Sequence, residues 1–136
     1  MRHNPVVRPF LIGNVLVDPP IVLAPMEDVT NAAFRCIAKR IGGPGLMVTE
    51  FVSAMAVRYA PSRSVPKMRV RNEERPLAVQ IFGSEPEIMA DTARIAEDMG
   101  ADIVDINMGC WVPKVCRQGS GAALLKDPEQ ALAVVK

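Results

Sequence analysis

The stretch LAVQIFGSEPEIMADTARIAEDMGADIVDIN, residues 77–107, decides the fold. It opens with the apolar run Leu77–Phe82 and closes with a second one, Ile103–Asn107. Between them, apolar residues recur at helical spacing until Gly100, a residue typical of helix ends. A strand, a helix and a second strand in about 30 residues form a βαβ unit, in which the two strands run parallel.

The same pattern extends toward the N-terminus. Ile21–Ala24 and Leu46–Thr49 are two further short apolar runs, and the four runs recur every 25 to 31 residues. Asn31–Ile41 is predicted to be the helix after the first run, and a last helix is predicted from Asp127 to the chain end. Alternating strands and helices predict an α/β fold with a parallel sheet.

Three local signals predict where the helices begin. Thr30 is the expected N-cap of the first helix, and Ser84 with Glu87 has the spacing of a capping box. Asp127 before Pro128 is the expected start of the last helix.

Four βα units make half of a (β/α)₈ TIM barrel, a fold of about 250 residues. The chain ends inside a predicted helix, and a half-barrel would leave sheet edges open. We therefore expect residues 1–136 to be the N-terminal half of a TIM-barrel catalytic domain from a longer protein. The alternative is a complete four-stranded, doubly wound domain.

Composition restricts the function classes. The 136 residues are 49% hydrophobic and carry a net charge of +1, so binding to nucleic acid would need a local basic patch. Only 4% are aromatic, which argues against an RNA-binding face of stacked rings. No signal peptide or membrane span is predicted, so the expected location is cytoplasmic. Three cysteines without metal-type spacing predict neither a metal site nor a disulfide framework.

Polar residues follow each predicted strand, and the carboxyl ends of parallel strands are where α/β proteins place their sites. Glu27 and Asp28 follow the first run, Glu50 and Ser53 the second, and Gly109 and Cys110 the fourth. We expect these segments to converge on one edge of the sheet.

These segments resemble the tRNA-dihydrouridine synthases, FMN-dependent enzymes with a (β/α)₈ barrel. The resemblance lies in four strings that stand in the family's order: LAPMEDVT (23–30), TEFVSA (49–54), VQIFGSEP (79–86) and DINMGCWVPKVCRQGSGAALLKDP (105–128). One departure from the family lies in the cysteine loop, because Trp111 follows the cysteine where the family usually has proline. A second is Glu27, which stands where the family commonly has a small residue, so any contact of Glu27 with the flavin is expected through its main chain. The resemblance implies reduction of uridine in tRNA to dihydrouridine, with NADPH or NADH reducing the FMN.

Within this resemblance Cys110 is the general acid, which protonates carbon 5 of uracil while reduced flavin delivers hydride to carbon 6. Hydride addition there creates an enolate, so carbon 5 must receive a proton from the opposite face of the ring. Gly109 precedes the cysteine, and Lys114 and Arg117 follow close behind it. Cys116 lacks a comparable setting, and Cys36 in the first helix is expected to have a packing role.

The resemblance also assigns the binding residues. Gln80 corresponds to a glutamine that hydrogen-bonds the flavin ring, and the turn of Pro25, Met26 and Glu27 to one that contacts the flavin. Asn107 corresponds to an asparagine beside substrate and flavin. Their alternatives are structural: Gln80 as a buried amide bonded to neighbouring loops, and Asn107 as a loop cap.

A basic stretch lies between the second and third runs. Arg63, Lys67 and Arg69 are its candidates for tRNA phosphate contacts, and a solvated charged segment is the alternative. By contrast, the small residues Gly119–Ala122 lack the pattern of a phosphate loop and are expected to let their loop fold closely.

Two other functions stay open at this point. The chain could belong to a flavin barrel that acts on free pyrimidines, or it could be a catalytically inactive RNA-binding or interaction fragment. A half-barrel in isolation is also expected to self-associate through its open apolar faces.

Overall fold

A computed structural model describes residues 8–136 as an α/β structure with a parallel sheet. The strands are β1 (Phe10–Ile12), β2 (Val15–Val17), β3 (Met47–Val48), β4 (Val52–Ser53), β5 (Leu77–Phe82) and β6 (Ile103–Ile106). The α-helices are α1 (Ala32–Arg40), α2 (Ala54–Tyr59), α3 (Pro61–Ser64), α4 (Pro86–Asp98), α5 (Pro113–Cys116) and α6 (Pro128–Val135). Short 3₁₀ helices cover Val65–Met68, Asn72–Glu74 and Gly121–Lys126. Within residues 8–136, no helix has the length and apolar character required to traverse a bilayer.

Strand β5 lies at the centre of the parallel sheet. Its Ala78 is flanked by Val48 of β3 and Ile103 of β6. Because its Ile81 is likewise flanked by β4 and β6, strands β3 and β4 lie on the same side of β5. Outside them, Val22 forms a parallel bridge with Leu46. The four predicted apolar runs therefore lie side by side in chain order, which confirms the parallel α/β prediction.

The first predicted strand is not a regular one. Ile21 and Val22 are 55% and 44% exposed, and the segment pairs with its neighbour through a single bridge. Prolines at 19, 20 and 25 surround it and lack the N–H that a strand ladder needs, so pairing stays short.

The hairpin of β1 and β2 is an element that we did not predict. It pairs Ile12 with Val15 around a two-residue turn, and Gly13 has a φ of 58°. The Gly-Asn dipeptide between two apolar runs was the available signal.

Two of the predicted helix caps are wrong. Asn31, not Thr30, caps α1 by accepting a hydrogen bond from the Phe34 amide, because the Thr30 hydroxyl bonds the Met26 backbone. At α4 the expected capping box is absent, since the Ser84 hydroxyl donates to the Gln118 carbonyl instead. The Asp127 cap of α6 is confirmed.

The core lies mainly between the sheet and helices α2, α4 and α6. Its fully or almost fully buried members include Val79 and Ile81 of β5, Met68 and Met89. The basic stretch after the second run is not an open loop, because α2, α3 and two 3₁₀ helices pack it against this core.

Candidate functional site

A chain of side-chain hydrogen bonds lies at the carboxyl ends of β5 and β6. Gln80 stands directly beside Asp105 in the parallel register, and its Nε2 donates to Asp105 Oδ2 at 2.5 Å. Asn107 Nδ2 in turn donates to Gln80 Oε1 at 3.0 Å. Gln80 is 6% exposed, and its backbone N–H donates to the Thr49 hydroxyl in the gap between β3 and β4. Gln80 is therefore held at three points, two on its side-chain amide and one on its backbone N–H.

Asn107 links this chain to the cysteine loop. Its Oδ1 accepts hydrogen bonds from the backbone N–H groups of Gly109, at 3.1 Å, and Cys110, at 2.9 Å. Asn107 thus acts as the loop cap that the alternative interpretation described, and it also lies against Gln80. Its two roles are compatible because an amide carries both donors and acceptors.

The other side of Cys110 is held by the small-residue segment. The Ala122 N–H donates to the Cys110 carbonyl at 2.9 Å. Gly121 has a φ of 60°, and a Cβ there would stand 2.5 Å from the Cys110 carbonyl oxygen. The expectation that small residues allow close folding of this loop is confirmed, and the backbone of Cys110 is fixed on both sides.

The three cysteines lie in different surroundings. Cys116 is half-buried, with its thiol 3.5 Å from the Cys110 carbonyl oxygen, and Cys36 is half-buried on α1. Trp111 is 78% exposed, so the residue at the family's proline position points away from the protein. In residues 8–136, no hydrogen bond joins the Cys110 thiol to Lys114 or Arg117, although both follow closely in sequence.

The turn of Pro25, Met26 and Glu27 lies near the end of the first run. Thr30 closes the turn, because its N–H donates to the Met26 carbonyl and its hydroxyl accepts from the Met26 N–H. Asp28, with a φ of 61°, donates its N–H to Glu50 Oε1 at 2.6 Å and so ties the turn to the segment after β3. Met26 is 41% exposed.

A buried ion pair supports this turn from below. Arg35 Nε donates to Glu74 Oε2, and Arg35 Nη1 donates to the Thr30 carbonyl at 2.7 Å. Arg35 is 2% exposed and Glu74 is fully buried. The pair therefore connects the turn, α1 and the segment before β5.

A cleft of about 930 Å³ opens beside the cysteine loop. One wall is formed by the start of α2 and by α3, and the other by residues 112–120 and the segment after β5. Arg63, Lys67 and Glu27 line it, whereas Arg69 does not. Cys110, Gln80 and Asn107 lie outside its lining, so the cleft adjoins the hydrogen-bond chain and does not contain it.

Sequence reasoning missed Asp105 altogether, and for Lys114 it missed the place in the cleft. Asp105 anchors the hydrogen-bond chain, and its position two residues before Asn107 on a strand was the available signal, since such residues share a face. Lys114 lines the cleft opposite the basic stretch. Predicting this position would have required knowing how the cysteine loop folds. Among residues 8–136, no three His, Cys, Asp or Glu side chains are grouped as metal ligands would be.

These observations define a class: a parallel α/β protein whose strand ends carry a hydrogen-bonded amide network joined to a cysteine loop. Residues 22–136 match the family model described as dihydrouridine synthase. The chain belongs to the dihydrouridine synthase family.

Curated relatives agree with this assignment. The chain is 41% identical over 118 residues to tRNA-dihydrouridine synthase B of Xanthomonas axonopodis pv. citri, a match covering 87% of the chain and 35% of the relative. It is 35% identical over 136 residues to probable tRNA-dihydrouridine synthase 1 of Synechocystis, covering 98% and 38%. It is also 40% identical over 126 residues to a probable tRNA-dihydrouridine synthase of Rhodobacter capsulatus, covering 92% and 39%. The chain thus spans between a third and two fifths of the length of these relatives.

Proposed function

We propose that the intact protein reduces the carbon 5–carbon 6 double bond of uridine in tRNA to dihydrouridine, with FMN as its cofactor. Family membership supports the reaction class. The observation that carries the proposal is the continuous contact from Gln80 through Asn107 to the backbone of Cys110. It joins the residue proposed to bind the cofactor to the residue proposed to supply the proton.

We also propose that residues 1–136 form the N-terminal half of a (β/α)₈ barrel. Support comes from the sheet, in which four parallel segments follow one another in space as they do in the chain. This order is the one that βα units adopt around a barrel. A doubly wound sheet instead reverses its strand order at a switch point, which these four segments do not do.

The donors at Gln80 and Asn107 fit a flavin ring. A primary amide carries two N–H groups and two acceptor lone pairs. The Gln80 amide uses one of its N–H groups on Asp105 and accepts one hydrogen bond from Asn107, which leaves it a donor and an acceptor. The pyrimidine edge of FMN presents this same alternation of acceptors and donors. Pro25, Met26 and Glu27 would border the ring from the neighbouring strand end.

Bound FMN supplies the hydride for carbon 6 of uracil. The residues of this chain do the remaining work. Cys110 holds a proton on its thiol and donates it to carbon 5, on the ring face opposite the hydride. Asn107 fixes the position of Cys110 through the backbone N–H, so the thiol is held relative to the substrate rather than moving with a free loop.

The other proposed partners follow from this reaction. tRNA is the substrate, and Arg63, Lys67 and Arg69 are proposed to contact its phosphates, which position the RNA without entering the chemistry. NADPH or NADH is proposed as the reductant of the flavin. We place the reaction in the cytoplasm, where tRNA is found.

The test measures dihydrouridine formation by the intact protein on tRNA and on free uridine. We expect a visible flavin spectrum and reduction of tRNA in preference to free uridine. Reduction of free uridine alone would favour a pyrimidine-reducing flavin enzyme. Salt-sensitive tRNA binding without flavin or turnover would instead identify an inactive RNA-binding protein.

A further inference from the structure

The cleft beside the cysteine loop carries cations on both of its walls. Arg63 and Lys67 come from the segment after β4, and Lys114 comes from α5 on the opposite side. All three side chains are exposed, and none takes part in an ion pair in the structure of residues 8–136. Other arginines of the protein, such as Arg58 and Arg75, are matched to carboxylates. The three cations are therefore available to an anion that enters the cleft.

Two carboxylates also line the cleft, Glu27 and Glu85. Both are exposed, as the three cations are. The three cations outnumber them, and the cleft keeps an excess of positive charge.

An aromatic pair forms part of the same lining. Phe51 and Phe82 follow or end two neighbouring strands, and their ring centroids lie 5.3 Å apart at an angle of 70°. Both rings are half-buried, so each keeps surface toward the cleft. Aromatic rings beside cations are the means by which proteins hold unstacked nucleotides, since every base has a face that stacks. The low aromatic content of the chain thus excludes a broad stacking face but not this single pair.

We propose that this cleft holds a second nucleotide of the tRNA, one that flanks the target uridine. Its phosphodiester lies between Lys114 on one wall and Arg63 and Lys67 on the other, and its base packs on Phe51 and Phe82. The cleft volume of about 930 Å³ is large enough for a nucleotide, because small-molecule sites run from about 300 to 1,000 Å³. This inference rests on the proposed function and adds to it a site that bears on which tRNA position is modified.

Lys114 links the cleft to the segment that carries Cys110. Lys114 lies on the same loop as Cys110, and Val115 beside it is 6% exposed and packs against Gly121. The Val115 N–H also donates to the Val112 carbonyl at 2.9 Å. A nucleotide bound at Lys114 therefore fixes the RNA relative to the segment that carries the proposed proton donor.

The experiment measures tRNA affinity of the intact, flavin-containing protein over a salt series. Arg63→Ala, Lys67→Ala and Lys114→Ala are each expected to raise the Kd for tRNA roughly fivefold to tenfold and to lower the salt slope by about one unit. The matched control is Lys126→Ala, an exposed lysine outside the cleft, which should change neither quantity. Flavin content should stay unchanged in all four variants.

A second measurement needs no variant. Acetylation of the unaltered protein is read by mass spectrometry with and without tRNA. We expect tRNA to protect Lys67 and Lys114 but not Lys126, which is equally exposed and lies outside the cleft. Equal protection of the three lysines, or a Lys114 variant that behaves like the Lys126 control, would overturn the inference while leaving the proposed function intact. Failure of the unaltered protein to bind tRNA would refute the proposed function itself, and this inference with it.

Discussion

Replacing Arg35 tests how the turn of residues 26–30 is supported. In Arg35→Met the fully buried Glu74 carboxylate loses the guanidinium that neutralises it, and the Thr30 carbonyl loses its hydrogen bond. Glu74 Oε1 already has no hydrogen-bond partner among the described residues, so this carboxylate has no other compensation nearby. Removing one partner of such a buried pair costs about 3 to 5 kcal/mol.

That loss is large beside the total stability of a small domain, about 5 to 15 kcal/mol. We expect urea unfolding of Arg35→Met to show a midpoint lower by about 1.5 to 2.5 M, for an m-value near 2 kcal/mol/M. The control is Arg58→Met, because Arg58 and Asp91 form an ion pair whose side chains are each 53% exposed. Exposed pairs contribute about 1 kcal/mol or less.

A double variant distinguishes the lost charge partner from lost packing. Arg35→Met combined with Glu74→Leu removes both charges and should recover most of the stability, because apolar residues can replace a buried ion pair at little cost. The reasoning would be refuted if Arg35→Met were no more destabilising than Arg58→Met, since Glu74 would then not depend on Arg35.

Three further predictions concern the site and the chain. Cys110→Ala should slow uridine reduction at least about 100-fold while flavin reduction by the nicotinamide stays near normal in rapid-mixing kinetics. Cys116→Ala should have little effect on either step. Unchanged turnover in Cys110→Ala would show that Cys110 is not the proton donor. Gly121→Ala should destabilise the protein by at least about 1 kcal/mol in urea unfolding and abolish dihydrouridine formation, because the new Cβ meets the Cys110 carbonyl. The control is Gly109→Ala, which should destabilise the protein less because a Cβ there meets nothing within 4 Å. Equal effects of the two substitutions on unfolding would contradict the contact. The 136-residue chain alone should bind FMN weakly, because the phosphate site of a barrel usually lies at its last strands. The measurement is flavin fluorescence quenching together with mass in solution. Micromolar affinity in a folded monomer would oppose the half-barrel proposal.

The sequence predicted best the elements whose signal is local. Strand β5 has the predicted bounds Leu77–Phe82, and α4 ends just before Gly100, because an apolar run and a periodic helix between them depend little on distant residues. Caps were harder. The hydroxyls of Thr30 and Ser84 bond backbone groups outside the helices that they were expected to cap, and only the tertiary structure decides between such partners.

Prediction of the site was limited in the same way. Gln80 and Asn107 were singled out as polar groups at strand ends, and the structure joins them. The cleft could not be foreseen, because its two walls are separated in the chain and meet only through the packing of α2 and α3 and the folding of residues 112–120. Of the three basic residues proposed to contact tRNA, Arg63 and Lys67 line the cleft and Arg69 does not. Only the packing of the segment determines this difference.

The hydrogen-bond chain from Asp105 to Cys110 has a direction. An ionised carboxylate can only accept, so Gln80 must turn its nitrogen toward Asp105 and its oxygen toward Asn107. Asn107 must then present its nitrogen to Gln80 and its oxygen to the backbone N–H groups of Gly109 and Cys110. Asp105 at one end of the chain and the two loop N–H groups at the other therefore require the same orientation of both amides. With an asparagine at position 105, the N–H groups of Gly109 and Cys110 would still hold Asn107, and through it Gln80, so the edge that Gln80 offers to a ligand would keep its polarity.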